Sequence, residues 1–583
     1  IMKVLQPLFL IELEGSFEKG KESASILKKL LNRIAHIRVF DPACGSGNFL
    51  IISYRELRKL EIRIIKRINE IVDTPEFPYT SVKLDQFFGI EAADFACETA
   101  KLSLWIAEYQ MNKIFEDTLG KASPVLPLKE GGAIVQGNSC QLEWLEVCPL
   151  RDNCETFVVG NPPFVGARKQ TKLQKKDTRE VLRDYSGVNS LDYVCAWFQK
   201  SAGYIDASNA KSAFVATNSL TQGQLIPLFW KFFLSKDIEI IFAHTSFKWR
   251  NNAKANAGVS CVIIGIAKKS GANKWLYIDG ISATVKNITP YLTSGKTIIV
   301  EKLNTTPLGR PELVMGNQAI DGGFLILSSE EKKSIVNSSP EAANFIRPLY
   351  SAKDFINGTP RFVIWIKDEE YELAIQIPEF KKKFLKVKEY RETGGEVARS
   401  LIRTPYKFRY THEAKSSLIL VPRTSSENRY YFPIGLLGPD AIVTDGTQVI
   451  YDPSIYIFSV LSSRMHMVWI KHVCGQLENR IRYSNTQGYN TFPLPKMGGP
   501  ERKSLDELSW SIIAAREAHP GRAIAWLYDP DTMPNNLLDA HKAVDETLEH
   551  LYIGRAFAND TERLAHLFKL YANRSSESKI EHV

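Results

Sequence analysis

The sequence contains no apolar run of membrane-spanning length, and its first residues lack the charged-then-apolar pattern of a signal peptide. Its eight cysteines form no Cys-x-x-Cys pair and have no histidines at zinc-ligand spacing, so we expect reduced thiols and no bound metal. Internal repeats and low-complexity tracts are also missing. These absences argue against membrane, disulfide-stapled and repeat proteins, and they predict a cytoplasmic protein.

The composition allows a large hydrophobic core but excludes few classes of function. The chain has 583 residues, of which 44% are apolar, and this length is typical of two to four domains. Lys and Arg number 74 against 65 Asp and Glu, which gives a net charge of +9. This mild positive excess permits a polyanionic partner without requiring one.

Short β-branched and aromatic runs alternate with helical patterns between residues 37 and 267. The runs are IRVF (37–40), FFGI (87–90), AIVQ (133–136), TFVV (156–159), SAFVAT (212–217), IEIIFA (238–243) and VSCVIIGIA (259–267). Such alternation predicts an α/β fold in which helices cover both faces of a mostly parallel sheet. Ligands of such sheets bind at the carboxyl ends of the strands.

The remainder of the chain has a different pattern. From 296 to 495 short strands mix with Pro/Gly turns and aromatics, and after the linker-like TFPLPKMGGP segment the pattern is helical. We therefore expect three domains, at 1–295, 296–495 and 496–583. The sequence also starts at Ile1 within a helical pattern, from which we expect the chain to be part of a longer protein.

The first predicted strand ends in a motif suited to a small ligand. In VFDPACGSGNFL, Asp41 ends the strand, Gly45 and Gly47 let a ligand approach the turn closely, and a helix begins near Asn48. Asp41 can hold an ammonium group there. Leu50 rules out the dinucleotide fingerprint, and the lack of a following GK[ST] rules out a P-loop.

The next two strands also end in polar residues. Glu91 ends the second strand, where a carboxylate can accept hydrogen bonds from both hydroxyls of a ribose. Asn138 and Ser139 follow the third strand, and short polar groups suit the edge of an adenine. The alternative is three unrelated polar strand ends, but their occurrence in strand order favours a nucleoside site.

Two motifs resemble those of known enzymes. Asp41-Pro42-Ala43-Cys44-Gly45-Ser46-Gly47 resembles motif I of S-adenosylmethionine-dependent DNA amino-methyltransferases, and Asn161-Pro162-Pro163-Phe164 resembles their catalytic motif IV. Further segments, such as ENRIRYSNTQGYNTFPLP and LYDPDTMPNNLLDAHKAVDETL, are similar to the MmeI-like branch of single-chain type II restriction-modification enzymes. The resemblance covers nearly the whole chain.

The resemblance implies a fold, a cofactor and a partner. The fold is a Rossmann-like class I methyltransferase sheet, followed by an α+β target-recognition domain and a helical C-terminal domain. The cofactor is S-adenosylmethionine, and the partner is double-stranded DNA in a prokaryotic cytoplasm. The residues implied to hold the cofactor are Asp41, Pro42, Ala43, Gly45, Gly47, Asn48, Phe49, Glu91, Asn138 and Ser139.

The chain also departs from that branch. There, a nuclease domain, a helical connector and a short cofactor-binding motif X precede the methyltransferase, and none of them is visible before Ile1. We therefore expect a nuclease domain to lie in the longer natural protein. Asn138 stands where the branch usually has an acidic residue.

Asn161, Pro162, Pro163 and Phe164 suit methylation of an amino group on a base. An exocyclic amino group is a poor nucleophile, and the Asn161 side chain and the Pro162 carbonyl can accept its hydrogen bonds and direct its lone pair. The prolines stiffen the loop, and Phe164 offers a face on which a flipped base stacks. Alternatively, an Asn-Pro-Pro turn ends a strand for steric reasons alone. With no Pro-Cys dipeptide for cytosine C5 chemistry, amino methylation remains, and the resemblance favours adenine N6 over cytosine N4.

Three charged stretches are candidates for contact with DNA. Residues 167–184 follow the Asn-Pro-Pro-Phe motif and carry a run of basic residues, among them Arg168, Lys169, Lys172, Lys175 and Lys176. We interpret this run as a phosphate clamp, the alternative being a solvated helix face. The basic stretch 379–403 permits either interpretation. Glu478, Arg480 and Arg482 alternate in GQLENRIRYS, so an extended segment would present them on one face, either to bases or as a surface ion pair.

The predicted function is therefore adenine-specific DNA methylation, and two alternatives stay open. The first is a specificity module whose catalytic site is silent, although Asp41, Gly45, Gly47 and the Asn-Pro-Pro-Phe motif are all intact. The second is a methyltransferase of RNA or of protein glutamine, since both use a similar motif. The middle region of about two hundred residues argues against the second alternative.

Overall fold

The computed structural model describes residues 1–72, 79–120, 132–248, 260–477 and 480–580. They group into two compact units, Ile1–Ile299 and Val300–Val583. Within these described ranges, no helix is both long enough and apolar enough to cross a bilayer. The boundary between the units lies close to the predicted one at residue 295.

The first unit is built on one nine-stranded mixed sheet. Its strands are β1 (Ile37–Asp41), β2 (Phe87–Glu91), β3 (Ala133–Gln136), β4 (Glu155–Gly160), β5 (Lys211–Thr217), β6 (Ile238–Lys248), β7 (Ser260–Lys268), β8 (Lys274–Ile278) and β9 (Ile281–Val285). Their order is β3-β2-β1-β4-β5-β7-β6-β8-β9. The first five are parallel, whereas β7 runs antiparallel to both β5 and β6.

The seven predicted runs all form strands, and β8 and β9 are additional. The order reverses between β1 and β4, which lie side by side although β2 and β3 come between them in the chain. At such a switch point the loops leaving the two strands diverge, so a crevice opens at their carboxyl ends. Asp41 and Asn161 lie at the ends of these two strands.

Helices flank this sheet. They are α1 (Met2–Leu5), α2 (Ile11–Gly20), α3 (Ala24–Ile34), α4 (Asn48–Ile71), α5 (Asp94–Leu119), α6 (Trp144–Val147), α7 (Lys172–Val181), α8 (Cys195–Ala207) and α9 (Lys231–Phe233). Apolar residues of α4 and α5 are buried together with the sheet, as their three-to-four spacing predicts. Gly47 caps α4 at a left-handed φ of 84°, and a Cβ there would lie 3.1 Å from Ala100 Cβ on α5.

Glu61 of α4 forms a buried ion pair within its own helix and also bonds the segment that leads into β2. Arg58 Nε lies 2.8 Å from Glu61 Oε2, and both side chains are almost fully buried. The Glu61 carboxylate also accepts hydrogen bonds from the backbone N–H groups of Ser81 and Val82. Burial raises the pKa of Glu61, and Arg58 opposes that rise. Glu61 therefore ties α4 to the segment that precedes the strand carrying Glu91.

The second unit begins with small sheets. Its strands are β10 (Val314–Met315), β11 (Ile326–Leu327), β12 (Ile346–Tyr350), β13 (Arg361–Ile364), β14 (Leu418–Pro422), β15 (Thr424–Ser425), β16 (Gly435–Leu437), β17 (Ile442–Val443), β18 (Thr447–Tyr451), β19 (Gly475–Leu477) and β20 (Arg480–Arg482). They form sheets in the orders β10-β18-β14-β16, β11-β13-β12-β17 and β15-β20-β19.

Helices lie between these strands and follow them. They are α10 (Ser329–Ser338), α11 (Ala352–Asn357), α12 (Tyr371–Ala374), α13 (Pro378–Glu392), α14 (Glu396–Ser400), α15 (Tyr456–Ser462), α16 (Arg464–Val473), α17 (Gly499–Glu517), α18 (Ile524–Leu527), α19 (Asn535–Ile553) and α20 (Asp560–Ile580). The last four confirm the predicted helical pattern after residue 500. Tyr431 donates to Asp545 of α19 at 2.8 Å, and this buried bond ties the helical end to the preceding strands.

Candidate active site

The turn after β1 is organised around Asp41. Its carboxylate is almost fully buried and accepts a hydrogen bond from the Ala43 N–H at 2.9 Å. Burial raises the pKa of Asp41 to about 7; the Ala43 bond opposes this rise, and the nearby Glu91 carboxylate adds to it. A buried carboxylate held in this way favours a cationic ligand.

The rest of the turn leaves room for a ligand. Gly45 has a φ of +54°, and a Cβ built there would meet no atom within 4 Å. The Pro42 carbonyl accepts from Trp197 Nε1 at 3.1 Å, which anchors the turn to α8. Cys44 is buried, and burial raises the pKa of its thiol, so it is a poor nucleophile.

Two predicted cofactor residues open the helix that follows. Asn48 is exposed as the first residue of α4, whereas the Phe49 side chain packs in the core. Phe49 therefore offers a ligand only its backbone, at the positive end of the helix dipole.

Glu91, at the end of β2, lies against the same turn. Its Oε2 accepts from the Gly45 N–H at 2.9 Å, and its Oε1 accepts from the Ala93 N–H at 3.0 Å. Glu91 is half-buried, and each carboxylate oxygen can accept a further hydrogen bond. The structure thus brings the predicted ammonium ligand and the predicted ribose ligand to one turn.

Asn138 and Ser139, which lie in the loop after β3, differ in how accessible their side chains are. Asn138 is half-buried, and its Nδ2 donates to Asp177 Oδ2 at 2.9 Å while its Oδ1 accepts from the Cys140 N–H at 2.9 Å. Ser139 is buried, and its Oγ lies 3.1 Å from the Trp144 Nε1 that donates to it. The Ser139 side chain is therefore engaged within the protein, whereas Asn138 remains accessible.

The loop after β4 presents an acceptor that has no partner. Asn161 Oδ1 is shielded from solvent, and within the described part of the chain no donor reaches it. A buried polar atom without a hydrogen bond is destabilising, so its retention marks a candidate ligand site. Pro162 is buried, Pro163 is exposed, and Phe164 packs half-buried against the core.

This loop is held firmly on both sides. A Cβ on Gly160 would lie 2.8 Å from Asp41 Oδ1, so the missing side chain lets Asp41 lie beside the residue that precedes Asn161. Asp192 Oδ1 accepts from the Val165 N–H at 3.2 Å, and Gln170 Nε2 donates to the Val165 carbonyl at 3.0 Å. The acceptor of Asn161 is thereby pre-positioned.

A basic surface follows the loop. Thr171 caps α7 by accepting from the Gln174 N–H, and the predicted DNA-contacting residues Arg168, Lys169, Lys172, Lys175 and Lys176 are all exposed. Asp177 and Thr178 are buried on the opposite face of the helix. Lys176 Nζ lies 3.7 Å from Glu180, an exposed pair of little energetic weight.

Part of the predicted recognition segment is extended, because residues 480–482 form β20. In β20, Arg480 and Arg482 are exposed and Ile481 is buried between them. The strand pairs with β15 and β19, so Thr424 and Gly475 both lie opposite Arg482. Glu478, the third residue of the predicted set, lies outside the described residues.

Sequence reasoning missed the residues that support the site. Asp177, Asp192, Gln170 and Tyr193 are buried polar residues that hold the loops of the candidate site. Asp177 stands within a run of lysines, and only the helical period of α7 indicates that it faces inward. The contacts of the others join distant segments, and no local pattern announces them.

The sheet and the residues along its carboxyl edge define a class of protein. The order β3-β2-β1-β4-β5-β7-β6, with an antiparallel β7 and the Asn-Pro-Pro-Phe loop after β4, is that of a Rossmann-like methyltransferase domain. Three family models match the chain: the MmeI DNA-methyltransferase domain at 17–278, the MmeI target recognition domain at 294–496 and the MmeI C-terminal domain at 499–577. The chain belongs to the MmeI family.

Similar proteins agree with this assignment. DNA methyltransferase A of Bacillus subtilis is 43% identical over 98% of this chain, and the chain spans 65% of that relative's length. The structure of the type IIL restriction-modification enzyme MmeI in complex with DNA is 36% identical, with a TM-score of 0.88 over 99% of this chain and 78% of that one. A putative type II restriction enzyme and methyltransferase of Methanocaldococcus jannaschii is 29% identical over 32% of this chain and 16% of its own length.

Proposed function

We propose that this chain methylates N6 of an adenine flipped out of duplex DNA, with S-adenosylmethionine as methyl donor, as the modification part of a restriction-modification enzyme. The observation that carries the proposal is the buried Oδ1 of Asn161 beside the Asp41 turn, to which no described residue donates. The similarity to DNA methyltransferase A and to DNA-bound MmeI supports it.

The residues at the carboxyl edge fit S-adenosylmethionine. Asp41 would hold the ammonium group, and the first turn of α4 would accept the carboxylate at its positive end. Glu91 would accept hydrogen bonds from the ribose hydroxyls, and Asn138 would contact the adenine. Gly45 leaves the space above the turn open. When bound, the cofactor supplies a methyl group on a positively charged sulfur.

The Asn-Pro-Pro-Phe loop would hold the target base. Asn161 Oδ1 and the Pro162 carbonyl would accept hydrogen bonds from the amino group, and these bonds direct the nitrogen lone pair. One of them also holds the proton that the nitrogen later loses. Phe164 stacks on the flipped base. Asp192 and Gln170 keep the loop in place, so little reorganisation accompanies the reaction.

DNA would be held by both units. Arg168, Lys169, Lys172, Lys175 and Lys176 would contact phosphates near the flipped base, which fixes position without reading sequence. Glu478, Arg480 and Arg482 would read bases in the groove. The domain division at 1–295, 296–495 and 496–583 accords with this allocation of roles, and the family matches support it.

A direct assay tests the proposal. The chain is incubated with radiolabelled S-adenosylmethionine and with duplex DNA, RNA or a protein mixture, and labelled DNA is digested to nucleosides. We expect label in duplex DNA as N6-methyladenine. Label in N4-methylcytosine would overturn the choice of base, label in RNA or protein would overturn the substrate, and DNA binding without transfer would identify a silent specificity module.

A further inference from the structure

Asp177 is the point at which three parts of the candidate site meet. Its Oδ2 accepts from Asn138 Nδ2 and from the Tyr193 hydroxyl, each at 2.9 Å, and its Oδ1 accepts from Gln141 Nε2 at 2.9 Å. The residue is 1% exposed, so no external ligand reaches its carboxylate. Asp177 therefore acts on the site only through the residues that donate to it.

The contacts of Asn138 with Asp177 and Cys140 fix the orientation of its side-chain amide, that is, which neighbour the oxygen faces and which the nitrogen faces. A carboxylate only accepts, and the backbone N–H of Cys140 only donates. With the amide as it stands, both contacts are hydrogen bonds of 2.9 Å. A flipped amide would set oxygen against oxygen and NH₂ against N–H, so the two neighbours together allow one orientation.

The fixed amide still has bonding capacity for a ligand. One of the two Nδ2 hydrogens and one lone pair of Oδ1 are used, which leaves one donor and one acceptor on a half-buried side chain. A 6-aminopurine offers a donor at N6 and an acceptor at N1. A 6-oxopurine offers the opposite, an acceptor at O6 and a donor at N1.

We infer that Asp177 is a positioning residue that holds the Asn138 amide in the orientation that selects a 6-amino over a 6-oxo purine in the cofactor. The inference rests on the proposed function, since it takes the ligand at Asn138 to be the nucleoside of S-adenosylmethionine. An orientation-locked amide rejects the reversed pattern because its donor and acceptor, once covered by the purine, would each face a like group.

Binding of two product analogues tests the inference. S-adenosylhomocysteine and S-inosylhomocysteine differ only in the group on purine C6 and in the hydrogen on N1, and calorimetry gives the dissociation constant of each without turnover. We expect the unmodified chain to prefer the adenosyl compound by roughly ten- to a hundredfold, the range of one bidentate base contact. In Asp177→Ala this ratio should fall toward one, while Glu180→Ala, an exposed acid on the same helix, should keep it.

A double-mutant cycle separates positioning from simple structural support. If Asp177 acts through Asn138, the double variant Asn138→Ala/Asp177→Ala should show the same ratio of the two dissociation constants as Asn138→Ala alone. If Asp177→Ala fails to fold, Asp177→Asn keeps the size of the residue. Its amide can donate as well as accept, so of the two neighbours only the Cys140 N–H still favours the present orientation of Asn138, and the ratio should again fall.

The outcomes are distinct. A ratio preserved in both Asp177 variants would overturn the inference, even if the affinities for the two analogues fell equally, because equal weakening indicates loss of structure alone. No discrimination by the unmodified chain would overturn the assigned role of Asn138. Binding of neither analogue by a folded, unmodified chain would instead overturn the proposed cofactor itself.

Discussion

At the scale of single residues, the candidate site depends on two polar groups kept in unfavourable surroundings. Asn161 Oδ1 is buried, and no donor among the described residues satisfies it. Asp41 is a buried carboxyl. Each state is destabilising without a ligand and is relieved by one, and such groups are typical of functional sites.

Replacing Asn161 by Ala should lower the methyl-transfer turnover number by roughly 100- to 1000-fold, the usual effect of removing one pre-positioned hydrogen-bonding group. The affinities for cofactor and DNA should change little, because the lost acceptor acts mainly on the reacting amino group. Single-turnover kinetics would measure the rate of methyl transfer, and calorimetry would measure the affinities for cofactor and DNA. Asn209→Ala, an exposed asparagine, is the control. Near-normal turnover in Asn161→Ala would remove Asn161 from the mechanism.

Cofactor affinity should depend on pH through Asp41. The pKa of Asp41 is raised to about 7 chiefly by burial, and a bound ammonium group would favour the carboxylate and lower it. Binding therefore requires loss of the Asp41 proton below pH 7, so affinity should be constant above pH 7 and fall by about tenfold per unit below it. Calorimetry with S-adenosylhomocysteine between pH 5.5 and 8 would measure this. Asp41→Asn should bind weakly at every pH; a flat profile in the unmodified chain would contradict the assignment.

At the scale of secondary-structure elements, α7 and β20 have two unlike faces. In α7 the buried face carries Asp177 and Thr178, and the exposed face carries lysines. In β20 only Ile481 is buried. The buried faces fix each element in its unit, so the exposed charges are presented on rigid supports, which favours defined contact with DNA.

The lysines of α7 should set part of the salt dependence of DNA binding. Each phosphate contact contributes about 0.9 to the slope of log K against log salt. Changing Lys172, Lys175 and Lys176 together to Gln should therefore reduce the slope by up to about 2.7. Fluorescence anisotropy at several salt concentrations would measure it, with Lys29→Gln on α3 as the control. A slope unchanged in the triple variant would exclude α7 from the interface.

Glu478 and Arg480 should determine one base of the recognition sequence. A carboxylate accepts from cytosine N4, and a guanidinium spans guanine O6 and N7. Glu478→Lys combined with Arg480→Asp should therefore exchange the preferred bases at one position, each mismatched pair costing roughly 1–3 kcal/mol. Sequencing of methylated DNA would report the motif, with Lys415→Asp as the control for an exposed charge change. Retention of the parent motif at full activity would show that these residues do not read bases.

At the scale of the whole molecule, each unit has its own buried polar anchor. In the first, Glu61, paired with Arg58 on the same helix, bonds α4 to the segment before β2. In the second, the fully buried Arg391 donates to the carbonyls of Ile320, Leu401 and Lys407, among others, and gathers the loops around the end of α13. Such anchors are costly to break, because each leaves buried groups unpaired.

Glu61→Ala should destabilise the chain by roughly 3–5 kcal/mol, because it leaves the Arg58 charge buried and unpaired. Glu14→Ala removes one of the two exposed acidic partners of Arg63 and should cost less than about 1 kcal/mol. Urea unfolding followed by circular dichroism would compare the two. Equal midpoints would show that the buried pair contributes no more than the exposed one.

The sequence alone determined the strands and their terminal residues. Alternating apolar runs are local signals, and all seven predicted strands are present, with Asp41, Glu91 and Gly160 at or near their ends. The Asn-Pro-Pro-Phe motif also follows directly from neighbouring residues. Local spacing suffices for these features because strand formation and turn chemistry depend mainly on residues close in the chain.

Only the tertiary structure decided which side chains at the strand ends face the candidate site and which partners they bond. Phe49 and Ser139 turn their side chains into the protein, which depends on the face of the element they occupy. The antiparallel pairing of β7 and the bond from Asn138 to Asp177 each join segments that are far apart in sequence. Asn138 and Asp177 lie 39 residues apart, and neither neighbourhood indicates the other. The orientation of a polar side chain depends on the donors and acceptors packed around it, and those are fixed only when the chain has folded.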